Sequence, residues 1–283
     1  MKELMLCLDI GGTHISAAVI QKENDTLINL RYVREAVDSM ADRETILKHW
    51  KKGIGKAINS IHGDIQAIYV SVPGPFDYVN GISLMDGMHK YQAILHMNVK
   101  TFLNETYNVP LDHIYFYNDA AAFLLGEVYH HQLIGQKVVG LTLGTGLGSA
   151  LYEENTLRDL NYGSSSFRDG IAEDYISTRG MVRYINSLYH TSFREVKELV
   201  YAFQYEKEKY AAFDFLKQSL IDFISQYIMP LHPDYIILGG SIAKSHQLFA
   251  NAVQKSIGIP IKIASMDEQN LFYGIISHSE TKN

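Results

Sequence analysis

The sequence contains a single cysteine, Cys7, among 283 residues. One cysteine excludes an internal disulfide and any metal site built from several cysteines. The chain also lacks an uninterrupted apolar run of the ~18–20 residues that a membrane-spanning helix requires. A strand-like run begins almost at once, at Leu4, so we expect no signal peptide. These absences favour a soluble cytoplasmic protein.

Charged residues are scarce, at 20% of the chain, which excludes a disordered polyelectrolyte. The 31 acidic residues exceed the 25 basic ones, giving a net charge of −6. We therefore expect no general affinity for nucleic acid or for anionic membranes. Apolar residues make up 47% and aromatic residues 11%, enough to bury a substantial core. The length fits either two units of about 150 residues or one large α/β unit.

Short apolar runs that fit buried strands alternate with segments of helical periodicity. The predicted strands cover about 4–10, 15–20, 26–33, 66–72, 113–117, 138–143, 149–152, 235–238 and 259–264. The predicted helices cover about 42–62, 99–107, 120–131, long stretches of 171–228, 241–256 and 270–278, with a loop at 153–170. This alternation predicts an α/β fold whose strands are largely parallel. No Pro- or Ser-rich linker marks a domain boundary.

Two glycine-rich turns resemble each other. One is Asp9-Ile10-Gly11-Gly12-Thr13 and the other is Leu143-Gly144-Thr145-Gly146-Leu147-Gly148, each between a buried strand and a return strand. Glycine N–H groups can approach a phosphate closely, and a threonine hydroxyl adds a donor. Either turn alone also fits an ordinary β-hairpin. Their pairing predicts a duplicated fold with two phosphate loops, and neither turn has the Walker A or dinucleotide-binding pattern.

Five motifs, in the same order along the chain, resemble those of the ROK family of bacterial sugar kinases and repressors. They are the two glycine turns, Val72-Pro73-Gly74-Pro75, Asn118-Asp119-Ala120 and Leu238-Gly239-Gly240-Ser241. The resemblance implies a duplicated actin-like (ribonuclease H-like) ATPase fold, an α/β fold of two lobes with a cleft between them, and a homodimer. We predict a smaller N-terminal lobe of residues 1–115, with the C-terminal helix at 270–283 a candidate addition, and a larger lobe of 116–269.

The resemblance also implies the roles of individual residues in an ATP-dependent sugar kinase. Asp119 would be the base that accepts the proton of a sugar hydroxyl, and Asp9 would orient Mg²⁺ through water. The implied sugar contacts are Gly74, Asn118, Asp119 and Glu173. The implied ATP contacts are Asp9, Gly11, Gly12, Thr13, Gly144, Thr145, Gly146, Gly239, Gly240 and Ser241.

Each of these assignments has a structural alternative. Asn118 and Asp119 also suit the N-cap of the helix that follows, and one of them can cap while the other acts on substrate. Asp9 would otherwise be a buried carboxylate bonded to its own turn. Gly239 and Gly240 also fit a packing turn between a strand and a helix. Glu173 also fits the first turn of a helix, where an acidic residue matches the helix dipole.

One segment departs from the family pattern. After the second phosphate motif, family members usually carry a Gly-Glu-x-Gly-His segment and three cysteines, and that histidine and the cysteines bind a structural zinc. Residues 152–170 contain neither histidine nor cysteine, so we expect no zinc. Glu173 would remain as a sugar contact, and His89 or Arg168 are candidates to replace the missing sugar-reading side chains. The identity of the sugar stays open.

The leading function is ATP-dependent phosphorylation of a hexose or N-acetylhexosamine hydroxyl, as in a glucokinase. Polyphosphate as the donor would leave much the same motifs. A catalytically degraded sugar-binding protein is a second hypothesis, motivated by the shortened loop. A sugar-responsive repressor is a third, and it is opposed by the first motif at Asp9, which leaves no space for a preceding DNA-binding domain.

Overall fold

The computed structural model describes residues 2–24, 26–87, 90–201, 203–265 and 267–280. His89, a candidate sugar-reading residue, lies outside the described residues. The described residues form two compact units: unit 1 runs to Gly126 and resumes at Leu271, and unit 2 comprises Glu127–Asn270. The first boundary lies at Gly126 instead of near residue 115, because the strand and the start of the helix that follow residue 113 pack within unit 1.

Unit 1 is built on one mixed sheet. Its strands are β1 Lys2–Ile10, β2 His14–Glu23, β3 Thr26–Ala36, β4 Ile65–Val72, a small ribbon of β5 Phe76–Asp77 and β6 Ile82–Ser83, and β7 Ile114–Asn118. The main sheet has the order β3-β2-β1-β4-β7. The first helices are α1 Arg43–Ile58, α2 Val99–Tyr107 and α3 Asp119–His130, of which α3 continues past the boundary into unit 2.

Unit 2 repeats this plan. Its strands are β8 Val138–Leu143, β9 Leu147–Glu153, β10 Thr156–Asp159, a small ribbon of β11 Ser166–Phe167 and β12 Gly170–Ile171, β13 Tyr235–Gly239 and β14 Ile261–Ile263. The main sheet has the order β10-β9-β8-β13-β14. Its helices are α4 Thr178–Tyr189, α5 Val196–Tyr201, α6 Glu206–Phe223 and α7 Ala250–Ile257, and α8 Gln269–Glu280 returns the chain to unit 1.

The two main sheets share one topology, as the paired glycine turns predict. In each sheet the first three strands along the chain form antiparallel hairpins. A later strand then pairs in parallel with the first strand, and another pairs in parallel with that later strand. The prediction of largely parallel strands is therefore wrong, since antiparallel pairs are as numerous as parallel ones. Short turns such as Gly11–Thr13 reverse the chain at once, whereas a parallel pair needs a long crossover.

Two predicted elements differ from the observed ones. The segment 153–170, predicted as a loop, contains β10 and the β11–β12 ribbon. The single helix predicted at 241–256 is broken into 3₁₀ turns over Ile242–Leu248 and the helix α7, because Ser245 has non-helical angles of φ −105° and ψ 26°. The chain after Gly240 therefore does not enter a continuous α-helix.

The buried residues of unit 1 include the apolar face of α1 and the single cysteine. Helix α1 buries Ile46, Trp50, Ile54 and Ala57, the residues that recur at helical spacing. Cys7 is fully buried in β1, and burial raises the pKa of its thiol, so that it stays neutral as a small core residue. No helix in the described part of the chain is both long enough and apolar enough to cross a membrane.

Helix α8 fixes the position of α3 within unit 1. A Cβ on Gly274 would overlap the backbone nitrogen of Gly126 and the carbonyl of Leu125, so the two helix backbones approach as closely as glycine permits. The N-terminus of α3 carries Asp119. This close packing therefore helps to hold the predicted catalytic carboxylate in place.

Candidate functional site

Three neighbouring strands of unit 1 bring the predicted residues to one sheet edge. In the parallel register Asp9 of β1 lies opposite Ser71 of β4, and Val72 of β4 lies opposite Asn118 of β7. The carboxyl ends of these strands therefore meet at the same edge, where ligands bind in open α/β sheets. With strands about 4.8 Å apart, Asp9 and Asn118 lie on the order of 10 Å from each other.

The Asp9 carboxylate is held by a buried hydroxyl. Ser71 Oγ donates to Asp9 Oδ1 at 2.7 Å, and Ser71 is fully buried. In the part of the chain that is described, no three His, Cys, Asp or Glu side chains group as metal ligands. Mg²⁺ characteristically binds through one or two carboxylates together with substrate phosphates and water. A carboxylate such as Asp9 is compatible with this mode of binding, and its assignment to Mg²⁺ stays a prediction from the resemblance.

The first glycine turn is braced from a distant segment. Gly11 N–H donates to His14 O at 2.9 Å, and the Tyr91 hydroxyl donates to Gly11 O at 2.6 Å. Burial raises the pKa of Tyr91 to about 12, so the phenol stays protonated and remains a donor. Thr13 is exposed, and its Oγ1 lies 2.9 Å from His14 Nδ1. Sequence reasoning missed Tyr91, which belongs to none of the motifs.

Asn118 and Asp119 make different contacts at the start of α3. Asn118 Oδ1 accepts from the N–H groups of Ala120 at 3.0 Å and Ala121 at 3.4 Å, which is an N-cap of α3. Its Nδ2 donates to the Tyr78 hydroxyl at 3.0 Å. Asp119 is exposed, and its Oδ1 accepts from Ala120 N–H at 2.9 Å. The cap falls mainly to Asn118, so Asp119 is available at the surface.

Tyr78 also lies beside Gly74, another predicted sugar contact. Its hydroxyl would be 3.2 Å from a Cβ on Gly74, and it donates to Val72 O at 3.3 Å. Gly74, Tyr78 and Asn118 therefore form one group at the edge of the unit 1 sheet. The sequence offered no signal for Tyr78, since its position depends on the β5 turn.

In unit 2 the second glycine turn lines a cavity of about 310 Å³. Gly144 N–H donates to Gly146 O at 3.0 Å, and Thr178 N–H donates to Gly144 O at 2.7 Å. The lining residues are Thr142, Gly144, Thr145, Gly146, Leu147, Gly148, Glu173 and Gly240. Four of the predicted ATP contacts and the predicted sugar contact Glu173 therefore share one cavity.

The Gly239-Gly240 turn packs directly on this loop. Gly239 ends β13 opposite Thr142, and Gly240 has a φ of +86°. A Cβ on Gly240 would lie 2.8 Å from the backbone nitrogen of Leu143. The Ser241 Oγ lies 3.7 Å from the Cβ position of Gly144. The turn is thus a close packing turn that also places Ser241 beside the second glycine turn.

Glu173 contacts the phosphate loop as well. Its Oε2 accepts from Leu147 N–H at 3.2 Å, and its Oε1 pairs with the Arg179 guanidinium at 3.1 Å. Glu173 lies in the first turn of the short 3₁₀ helix Ala172–Asp174, and α4 begins only at Thr178. Its assignment as a sugar contact stays a prediction.

Arg168, a candidate sugar-reading residue, is engaged elsewhere in unit 2. Its guanidinium donates to Ser219 Oγ at 3.1 Å and to Asp222 Oδ2 at 2.6 Å. It also lies 5.1 Å from the ring centroids of Phe167 and Tyr175. These four contacts fix Arg168 as a structural link between the β11–β12 ribbon and helix α6.

A second cavity of about 860 Å³ adjoins the phosphate loop. Its lining includes Thr145 and Ser241 together with residues that sequence reasoning missed: Thr178, Arg179, Val182, Arg183, Phe193, Val196, Lys197, Val200, Ile242 and Lys244. This volume lies in the range of small-molecule sites. The sequence could have indicated this cavity only through an apolar face of α4 and α5 with basic residues at its rim. Periodicity alone does not distinguish a face that lines a cavity from one that packs in the core.

Comparison with known proteins places these features in context. The model of the ROK family matches residues 5–165. A glucokinase of Thermotoga maritima is 22% identical over 312 aligned residues, which cover 89% of this chain and 86% of that protein. The range that the family model matches contains four of the five motifs.

Solved structures of the same architecture were also found. A ROK family protein from Streptococcus pneumoniae TIGR4, in complex with sucrose, matches with a TM-score of 0.77, 18% identity and 99% of each chain covered. A ROK family glucokinase from Streptomyces griseus, in complex with glucose and AMPPNP, matches with a TM-score of 0.68 and 20% identity over 96% of this chain and 97% of that one. The predicted duplicated actin-like fold class is confirmed.

Proposed function

Because the chain belongs to the ROK family, we propose that it is an ATP-dependent sugar kinase acting on a hexose or N-acetylhexosamine hydroxyl. The observation that carries the proposal is the placement of the motifs at strand ends in both units. In unit 1 the exposed Asp119 follows Asn118, whose Nδ2 lies 3.9 Å from the Cβ position of Gly74, and in unit 2 Thr145 of the second glycine turn lines the cavity of about 860 Å³. A relative solved with sucrose and another solved with glucose and AMPPNP support binding of a sugar and of a nucleotide.

In the proposed reaction a sugar hydroxyl oxygen attacks the γ-phosphorus of ATP. Asp119 accepts the hydroxyl proton, the bond from the γ-phosphorus to its bridging oxygen breaks, and ADP leaves with that electron pair. Asn118 and Gly74 orient the sugar. Asp9 is the residue that would hold Mg²⁺ through water, and Mg²⁺ when bound neutralises phosphate charge.

In unit 2 the backbone of Gly144, Thr145 and Gly146 would cradle the phosphates. The cavity of about 860 Å³ would hold the adenosine moiety, since it opens next to Thr145 and Ser241. Polyphosphate has no nucleoside and would leave that cavity unfilled. The cavity therefore favours a nucleotide donor over polyphosphate.

Replacing Val200 by tryptophan tests this donor assignment. Val200 is half-buried and lines the cavity from α5. A larger ring there should obstruct the nucleoside, so the KM for ATP should rise by about tenfold or more, a cost of about 1.4 kcal/mol. Steady-state kinetics with ATP as the varied substrate measure this.

The matched control is Leu188→Trp, at a 50% exposed position of α4 that is not among the cavity-lining residues. It should leave the KM for ATP unchanged. An unchanged KM in a folded Val200→Trp protein would show that the nucleoside binds elsewhere.

The function itself is tested by coupled ADP release across a panel of sugars. The panel should include glucose, mannose, fructose, N-acetylglucosamine and N-acetylmannosamine, with ATP and polyphosphate compared as donors. We expect sugar-stimulated ADP release with at least one of them. The sugar that stimulates ADP release would also identify the substrate class.

A degraded sugar-binding protein is the second candidate, favoured by one observation. The segment between β9 and α4 lacks histidine and cysteine. Sugar binding detected by calorimetry, without ADP release for any sugar of the panel, would support this candidate and contradict the kinase. The exposed Asp119 beside a capped helix favours the kinase.

A further inference from the structure

The side chain of Lys90 lies over the first glycine turn of unit 1. Its Cδ would be 3.8 Å from a Cβ on Gly12, and its ammonium group is two covalent bonds further along the chain. Lys90 belongs to none of the five motifs, and it reaches the turn only through the loop that follows β6. The turn therefore has a cationic neighbour that the sequence did not reveal.

The backbone next to Lys90 is firmly placed. Tyr91 N–H donates to Ser39 O at 2.6 Å, and its hydroxyl donates to Gly11 O at 2.6 Å. Tyr91 is fully buried, and its ring packs against Trp50 with 5.7 Å between ring centroids. These contacts tie residue 91 to the glycine turn, so Lys90 is presented at the turn by a fixed neighbour.

The same sheet edge carries two carboxylates. Asp9 is the penultimate residue of β1, and Asp119 begins α3 after β7, two strands away in the same sheet. A transferring phosphoryl group carries negative charge on its non-bridging oxygens, and two nearby carboxylates would repel it. A lysine is charged at neutral pH, and its compact ammonium group binds phosphate as a point charge. Lys90 supplies this charge beside Gly12.

We propose that Lys90 is a catalytic residue whose ammonium group binds the non-bridging oxygens of the phosphoryl group during transfer. The inference rests on the proposed function. The sugar oxygen forms its bond to the γ-phosphorus, the bond to the ADP oxygen breaks, and the hydroxyl proton goes to Asp119. Lys90 neither gains nor loses a proton, and its role is to offset charge. Stabilisation that is greatest in the transition state acts on kcat more than on sugar binding.

Lys90→Met keeps the length of the side chain and removes its charge. We expect kcat for sugar phosphorylation to fall on the order of 10²-fold, the effect of removing one donor to a transition-state anion. The KM for the sugar should not change, and Lys90→Arg should recover part of the lost rate. The control is Lys48→Met, the same charge change at an exposed position of α1, which should leave kcat unchanged.

A second measurement does not need sugar turnover. Lysines of the wild-type protein are acetylated with and without MgATP and quantified by mass spectrometry, and MgATP should protect Lys90 but not Lys48. If the wild-type protein phosphorylates no sugar, the proposed function fails, and protection of Lys90 still decides whether it contacts phosphate. Wild-type kcat in Lys90→Met, or acetylation of Lys90 unaffected by MgATP, would overturn the assignment.

Discussion

Replacing Asp119 by asparagine is expected to abolish phosphorylation while the sugar still binds. An amide cannot accept the hydroxyl proton, and loss of a positioned base lowers turnover by roughly 10²–10⁴-fold. Asparagine keeps the side-chain oxygen that accepts from Ala120 N–H at 2.9 Å. ADP release measures the rate, and calorimetry measures sugar binding in the absence of ATP.

The structure separates this effect from helix capping. Asn118 accepts from two N–H groups of α3, so the cap survives the change at Asp119. The control is Asp42→Asn, where the native carboxylate caps α1 by accepting from Thr45 N–H at 2.9 Å. Both variants should unfold at nearly the wild-type temperature, and only Asp119→Asn should lose activity. Near-normal turnover in Asp119→Asn would remove this residue from the mechanism.

Replacing Gly240 by alanine is expected to destabilise unit 2 by about 4 kcal/mol, among the largest effects of a single substitution. Gly240 has a φ of +86°, and a Cβ would lie 2.8 Å from both the nitrogen and the carbonyl carbon of Leu143. These are backbone atoms of the last residue of β8, so they cannot move aside without displacing the glycine turn that follows. Denaturant unfolding, followed by circular dichroism, measures the change in the free energy of unfolding.

Gly258→Ala is the matched control. Gly258 ends α7 with a φ of +73°, and no atom lies within 4 Å of its Cβ position. Alanine there should cost only the conformational penalty of a left-handed residue, about 1–2 kcal/mol. The difference between the two variants isolates the contact with Leu143. Equal losses would contradict the close packing of the Gly240 turn on the phosphate loop.

Much of the fold was predictable because its signals are local. The helix predicted at 99–107 and the strand predicted at 138–143 have the observed bounds, since each is a periodic or continuous apolar segment between clear breaks. The echo between the two glycine turns predicted the duplication. The turns occupy equivalent places, between β1 and β2 and between β8 and β9.

The errors also have local causes. The strand β10 within 153–170 is short and exposed, so it shows little hydrophobic pattern. The helix predicted at 241–256 is interrupted at Ser245, where the apolar periodicity continues but the backbone leaves helical angles. The pattern of apolar side chains indicates which face of a segment is buried. It does not indicate a backbone kink when the same face stays buried on both sides of the kink.

For the candidate site as well, some residues were predictable from the sequence and others were not. The motifs and their order identified the family, and they predicted the two phosphate turns and the role of Asp119. They did not reveal Ser71 beneath Asp9, Tyr91 bracing Gly11, or Lys90 over Gly12.

The sequence by itself determined where the chain turns and that the fold is duplicated, because glycine turns and periodic apolar segments act within a few residues. It also predicted which residues carry chemistry. Only the tertiary structure decided which side chains from other segments contact the motif residues. Tyr91 and Gly11 are distant in sequence, and the Tyr91 hydroxyl donates to Gly11 O at 2.6 Å. Such pairs form when packing closes long loops, and no short-range pattern encodes their partners.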